Sequence, residues 1–312
     1  YIDLLPVLVL VLVTALLLMD SKQVLRLNSL LVVLKFSALA VFILVGLFHL
    51  NPDNWDNFAP FGFGQIYGGK TGIIAGASLM FFGFLGFESI SMTVDEIKEP
   101  QKNVPRGIVL ALIIVASLYA VVSLVLTGVV HYTKLNVDDA VAYALRYIGV
   151  PWAANYVSVV AIMTLITVCI SMAYALSRMV YSLARDGFLP QTFQKVSKTH
   201  KVPHHATLLT GILSAISAGV FSLAIMASLV NIATLAYLVL LAIALIILRK
   251  DKGLPQKGEF KVPFVPVLPI LSIIVCLSFM SQYSWQTWLA FGIAVLVGSA
   301  IYAFYGYKHS KY

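Results

Sequence analysis

The sequence predicts an all-α integral membrane protein, a multi-span helical bundle, and three observations predict it. Of its 312 residues 60% are hydrophobic and only 11% charged, with a mean hydropathy of +0.94. A soluble chain carries about 25% charged residues, because its surface must face water. Here 21 Lys and Arg with 13 Asp and Glu are too few unless most of the surface faces lipid. The apolar residues are also gathered into runs of the length a bilayer demands. Finally, the basic residues crowd into alternate links between those runs.

A hydrocarbon core about 30 Å thick needs roughly 20 apolar residues per helix. Such runs fall at 4–19, 28–48, 72–92, 107–130, 154–182, 207–224, 228–248, 264–282 and 287–307, which makes nine. They are apolar on every face and do not alternate over about ten-residue segments, which excludes a transmembrane β-barrel. The links are short and polar, and none resembles a soluble domain. The first run lacks a basic leader and a small-residue cleavage site, so it is expected to be a span and not a cleaved signal. Cys169 and Cys276 lie inside apolar runs, where they read as packed thiols and not as a disulfide framework or metal site.

Loop charge orients the bundle. Links 20–27, 93–106, 183–206 and 249–263 with the tail 308–312 hold sixteen basic residues, whereas the opposite links hold Lys70, Lys134 and Arg146. Basic residues accumulate in cytoplasmic loops, so the first set is expected in the cytoplasm of a cell-membrane protein. This bias accounts for the net charge of +8 without a nucleic-acid partner. His200, His204 and His205 stand in one of the basic links without a carboxylate or cysteine ligand set, and read as solvated side chains. No H-E-x-x-H, G-x-S-x-G or Walker lysine motif occurs. Neither enzyme activity nor a metal or cofactor is expected.

Ionisable groups inside spans cost about 2.5–3.5 kcal/mol on insertion scales and point to function. Lys35 is the sharpest case, about seven residues and hence about 10 Å into its span. Burial disfavours the charged form of an amine, so Lys35 is a candidate to load and release a proton near neutral pH. The alternative is a permanently charged lysine that staples helices.

The run Phe81-Phe82-Gly83-Phe84-Leu85-Gly86-Phe87-Glu88-Ser89 carries the second signal. Each glycine weakens a helix by roughly 1 kcal/mol relative to alanine. Glycine-interrupted spans are pointers to a transporter's binding site, because half-helix ends expose N–H and C=O groups to a ligand. The competing reading makes Gly83 and Gly86 close-packing residues and the phenylalanines lipid-facing bulk. Glu88 reads equally as a cavity acid or as a side chain reaching toward the following link. That link, Asp95 to Arg106, reads as a solvated loop ended by Pro105 in the first turn of the next helix, or else as a conformational latch held by local salt bridges. Thr164, Thr167 and Ser171 share one helix face. They either bond back to their own helix carbonyls or line a polar cavity. Gly187 suits the C-cap of that helix.

Three segments together resemble the amino acid–polyamine–organocation superfamily, in particular the bacterial relatives of the cationic amino acid transporters. FFGFLGFESISMTVDEIKEPQKNVPRGI (81–108) is similar to the family's broken sixth helix and the loop after it. SRMVYSLARDGFLPQTFQKVSKTHKVPHHATLLTG (177–211) resembles its eighth-to-ninth-helix connection, and SKQVLRLNSLLVVLKFSALAVFILVG (21–46) its fifth helix. The resemblance implies an inverted-repeat bundle of the five-plus-five type with twelve spans, of which the nine here look like the fourth to twelfth. On that reading the first three helices are absent. Residues 1–48 end the first repeat, 72–248 form the second, and 264–307 are two peripheral helices of a single transmembrane domain 1–312.

The same resemblance implies site residues. Phe82 falls where the family closes an aromatic side chain over substrate. Gly83, Phe84, Leu85 and Gly86 match the unwound stretch that meets the substrate's α-amino group, and Glu88 a nearby acidic position. Lys35 matches the lysine that stands in for a sodium ion in proton-coupled members, with Thr164 and Thr167 bordering it. The expected activity is secondary active transport of an amino acid, as proton symport by alternating access. Exchange without proton coupling and a transport-dead amino acid sensor are the alternatives. The expected partners are the amino acid, protons and the lipid bilayer.

Overall fold

The computed structural model describes residues 4–19, 22–56, 58–64, 72–87, 97–197, 202–253 and 260–310, with the backbone alone for residues 19, 22–30 and 252. The described residues are helical and contain no strand. The helices are α1 Leu4–Met19, α2 Lys22–Leu47, α3 Ile73–Met80, α4 Pro100–Val129, α5 Ala140–Tyr147, α6 Pro151–Arg185, α7 His204–Val220, α8 Leu223–Lys252, α9 Val267–Met280, α10 Trp285–Ile301 and α11 Tyr307–His309. Each of the nine apolar runs overlaps one of them, the third only over Ile73–Met80, and its residues 88–92 lie outside the described residues. Among the described residues, four stretches are by length and composition long and apolar enough to cross a membrane: α4, α6, Leu223–Asp251 and Trp285–His309. On α4 only Val125, Gly128 and Val129 are buried, while Val109, Leu110, Ile113 and Ile114 face outward. Apolar area left in water costs about 25 cal/mol per Å². Helices that present such faces are suited to lipid, where every backbone polar group is already satisfied internally.

Two features depart from the expectation. α4 begins at Pro100 and not at Pro105, which lies inside the helix. Pro100 takes the first helical position, where a missing N–H costs nothing. The amides of Lys102 and Asn103 both donate to the Glu99 carbonyl at 3.0 Å, so the helix is already wound before Pro105. The link is correspondingly shorter. Its Lys102–Glu99 ion pair (3.0 Å) is mostly exposed, the solvated arrangement worth little to stability. The second departure is α5, which is too short and too polar on one face to register as a span. It buries Ala142, Ala144 and Leu145 and carries an Arg146–Asp139 pair on its exposed side.

The chain divides into two compact units. The first comprises 1–56, 122–223 and 294–312; the second comprises 57–121 and 224–293. In the first, α6 packs against α1, α2, α5 and α7. Its main core gathers Phe42, Val125, Val129, Val130 and Leu145 with Ala153 and Ala154. Small residues permit the close approaches: Gly211 of α7 lies against Thr14 of α1, and Gly46 of α2 against Val125, as expected where helices pack in a membrane. The end of α4 is tied down by the loop at 51–55. The Asn51 amide and the Asn54 side chain both donate to the Gly128 carbonyl (3.0 and 2.7 Å), and Trp55 Nε1 donates to Thr127 Oγ1 (3.1 Å). α6 ends at Gly187, with φ +91; its amide reaches the Ala184 carbonyl and that of Phe188 the Leu183 carbonyl, a left-handed C-cap. In the second unit α3 packs against α9, over a core of Ile232, Leu235, Cys276 and Met280.

Candidate functional site

In the second unit the α-helical ladder of the third apolar run stops at Met80. Phe81–Phe84 continue as a single 3₁₀ turn, and Leu85 then leaves the helix with ψ 145. Gly86 follows at φ +110, a conformation glycine adopts without the penalty a Cβ would bring. Leaving the ladder strands carbonyls at the end of α3, and side chains from two other segments take them. The Ser78 carbonyl accepts from the Tyr283 hydroxyl at 2.9 Å and from Asn231 Nδ2 at 3.4 Å. Asn231 Nδ2 also lies 3.3 Å from the Leu79 carbonyl. The Ser78 hydroxyl in turn donates to the Phe279 carbonyl at 3.0 Å. Ser78 and Asn231 are fully buried, and burial pushes the Tyr283 phenol above its ordinary value, so it stays a protonated donor.

Beyond Met80 the phenylalanines separate by role. Phe81 packs against the Ile232 core. Phe84 meets the Tyr119 ring edge-on, centroids 5.2 Å apart, and the Tyr119 hydroxyl donates to the Gly83 carbonyl at 2.7 Å. Phe82 points outward and is 44% exposed. The break therefore offers a main chain turned out of helical geometry, with one aromatic ring, Phe82, exposed beside it. Glu88, the acid expected beside this stretch, lies outside the described residues.

Lys35, Thr164 and Thr167 belong to the first unit. At 100° per residue, Lys35 shares a stripe of α2 with positions 31, 38, 42 and 46. All four are buried: Leu31, Ala38 and Phe42 at 5%, 7% and 1% exposure, with Gly46. The outward stripe holds Val33, Phe36, Leu44 and Leu47. Lys35 itself is half-buried, and among the described residues it takes part in no ion pair. An amine at the middle of a buried apolar stripe is where a charge costs most. α2 packs on α6, and Ser37 Oγ lies 2.7 Å from the Tyr156 hydroxyl.

On α6 the hydroxyls divide. Thr167 is buried and bonds back to the Thr164 carbonyl at 2.8 Å, and Ser171 to the Thr167 carbonyl at 2.9 Å. Thr164 Oγ1 is buried and has no hydrogen-bond partner among the described residues. Sequence reasoning missed Tyr119, Ser78, Asn231 and Tyr283, which hold the break in place. The signal for Asn231 was there: an amide in the middle of an apolar run is an intramembrane polar group in need of a partner.

The profile of the amino acid permease family matches residues 4–307. The chain is 42% identical over 302 residues to the methylthioribose transporter of Bacillus subtilis, covering 97% of this chain and 64% of that protein. It is 37% identical over 310 residues to the branched-chain amino acid permease BcaP of the same organism, covering 98% and 65%. With the human cationic amino acid transporter 4 it shares 33% identity over 229 residues, 70% of this chain and 35% of that protein. The chain thus spans just under two thirds of the length of the two Bacillus relatives.

Proposed function

The chain belongs to the amino acid permease family, and from that membership we propose that it moves amino acids across the cell membrane by proton-coupled symport with alternating access. The observation that carries the coupling is Lys35 at the centre of the buried stripe of α2. A ligand moves a conformational equilibrium only through its differential affinity for the two states. A tenfold difference in how tightly two arrangements hold the Lys35 proton biases them by about 1.4 kcal/mol. Thr164 and Thr167 border this amine in the proposal.

The amino acid meets the break at 81–87. Its α-amino group is received by the main chain from Gly83 to Gly86, including Phe84 and Leu85, Phe82 closes over it, and Glu88 stands beside it. Support comes from the 3₁₀ turn, the extended Leu85 and the left-handed Gly86, which together open the main chain of an apolar run as binding requires. The basic links face the cytoplasm. A relative named as a branched-chain amino acid permease sets the first substrate class to try, and the side chains of Phe82, Phe84 and Leu85 suit an apolar substrate.

The test uses full-length protein in liposomes, with uptake of labelled leucine, isoleucine and valine. Uptake is expected to rise with an inward proton gradient in the wild type and to lose that dependence in Lys35→Met. A Lys35→Met protein that transports with its gradient response intact removes Lys35 from the coupling. Uptake unaffected by the gradient in the wild type removes symport.

A further inference from the structure

A groove of about 670 Å³ lies in the second unit between the first turns of α4 and the segment at Phe260 and Lys261. Its two sides are joined by a hydrogen bond from the Phe260 amide to Gln101 Oε1 at 3.2 Å. One end is cationic, with Lys102, Arg106 and Lys261 and the Phe260 ring beside them; further along α4 the lining is apolar, with Leu110 and Ile113. On α4 these positions stand at i, i+4, i+8 and i+11 from Lys102, a single helix face. That face extends about 16 Å from Lys102 to Ile113 at 1.5 Å per residue.

Among the described residues two of the three cations have no acidic partner, and the apolar wall is exposed. Lys102 is paired with Glu99, but among the described residues neither Arg106 nor Lys261 pairs with an acid. Leu110 and Ile113 are 59% and 58% exposed, and Phe260 48%. An inorganic anion satisfies the cations and leaves the wall bare. A hydrocarbon chain alone covers the wall and leaves the cations. A molecule with a negative head and an acyl tail satisfies both, and basic pockets beside membrane helices are where such head groups collect.

We infer that this groove is a binding site for an anionic phospholipid. The phosphodiester lies between Arg106 and Lys261, and an acyl chain runs along Leu110 and Ile113 against Phe260. None of these residues belongs to the proposed coupling or substrate site, so the inference stands or falls apart from the transport reading.

The experiment takes full-length protein from vesicles of equal phosphatidylglycerol and phosphatidylcholine, washes it in mild detergent, and measures the ratio of the two lipids retained by mass spectrometry. The variants are Arg106→Gln with Lys261→Gln, Ile113→Trp to fill the apolar wall, and Arg249→Gln with Lys308→Gln as a charge-matched control. Wild type is expected to enrich phosphatidylglycerol. At about fivefold per cation near a membrane surface, the Arg106/Lys261 pair should lose most of that enrichment. Ile113→Trp should lose it with every cation intact, and the control should keep it. An equal loss in the control, an unchanged Ile113→Trp, or displacement of the lipid by inorganic phosphate alone would each overturn the site. If the double variant does not fold, Ile113→Trp and the phosphate competition decide the matter.

Discussion

The Tyr119 hydroxyl of α4 donates to the Gly83 carbonyl at 2.7 Å while its ring meets Phe84 edge-on. One side chain thus takes an acceptor that the interrupted helix exposes and braces the turn that follows. The contact joins residues 36 apart in sequence, so the shape of the break is set by tertiary structure as well as by its glycines.

Tyr119→Phe removes the donor and keeps the ring. A hydrogen bond of this kind contributes about 0.5–1.5 kcal/mol net. The thermal midpoint of the full-length protein should therefore fall only slightly. The KM for amino acid uptake should rise by several-fold, because the carbonyl stretch is no longer held. An unchanged KM would dissociate Tyr119 from the substrate site.

Gly86→Ala places a Cβ at φ +110, which costs of the order of 1–3 kcal/mol. Gly83→Ala has no such backbone conflict, and its Cβ would stand 3.3 Å from Tyr119 Cε2, a contact that a small ring shift relieves. Transport by Gly86→Ala is expected to fall well below that of Gly83→Ala at matched expression. The reverse order would place the functional constraint on the Tyr119 packing and not on the turn.

How far these features were legible in the sequence follows from the range of the physics behind them. Hydrophobic run length is local, and each of the nine runs overlaps a helix, the third only over Ile73–Met80. The break was legible because Gly83 and Gly86 act on their own backbone. Helix α5 was not, because at eight residues it is too short to register as a span. The start of α4 was misplaced because two prolines competed for the first helical position and local composition does not choose between Pro100 and Pro105. Asn231 and Tyr283 were missed as supports of the break because their partner, the Ser78 carbonyl, lies 153 and 205 residues away.

Asn231→Leu keeps the volume and removes the amide. Leu79 loses its side-chain donor, and Ser78 keeps only Tyr283. Neither carbonyl is left bare, because Leu79 also accepts from the Phe81 amide, so the loss is that of a shared hydrogen bond, about 0.5–1.5 kcal/mol. Because Asn231 and Tyr283 serve the same carbonyl, Asn231→Leu and Tyr283→Phe should not add. A coupling of about 0.5–3 kcal/mol is expected in a double-mutant cycle read by thermal unfolding in nanodiscs. Simple additivity would mean that the two donors act on separate groups.

Thr164→Val separates stability from function on α6. The Thr164 hydroxyl is buried without a partner among the described residues, so replacing it with a methyl of the same shape should cost nothing and can gain about 1 kcal/mol, the penalty of an unpaired buried hydroxyl. Thr167→Val loses a bond to its own helix, which contributes little. Both proteins should therefore be as stable as the wild type. The proposed function gives them different activities: a hydroxyl kept unpaired at a cost is one held for a ligand or a proton, so Thr164→Val should slow proton-driven uptake at unchanged thermal midpoint, and Thr167→Val much less. If Thr164→Val transports at the wild-type rate, the hydroxyl is a packing leftover, and the environment of Lys35 must draw its polarity from elsewhere.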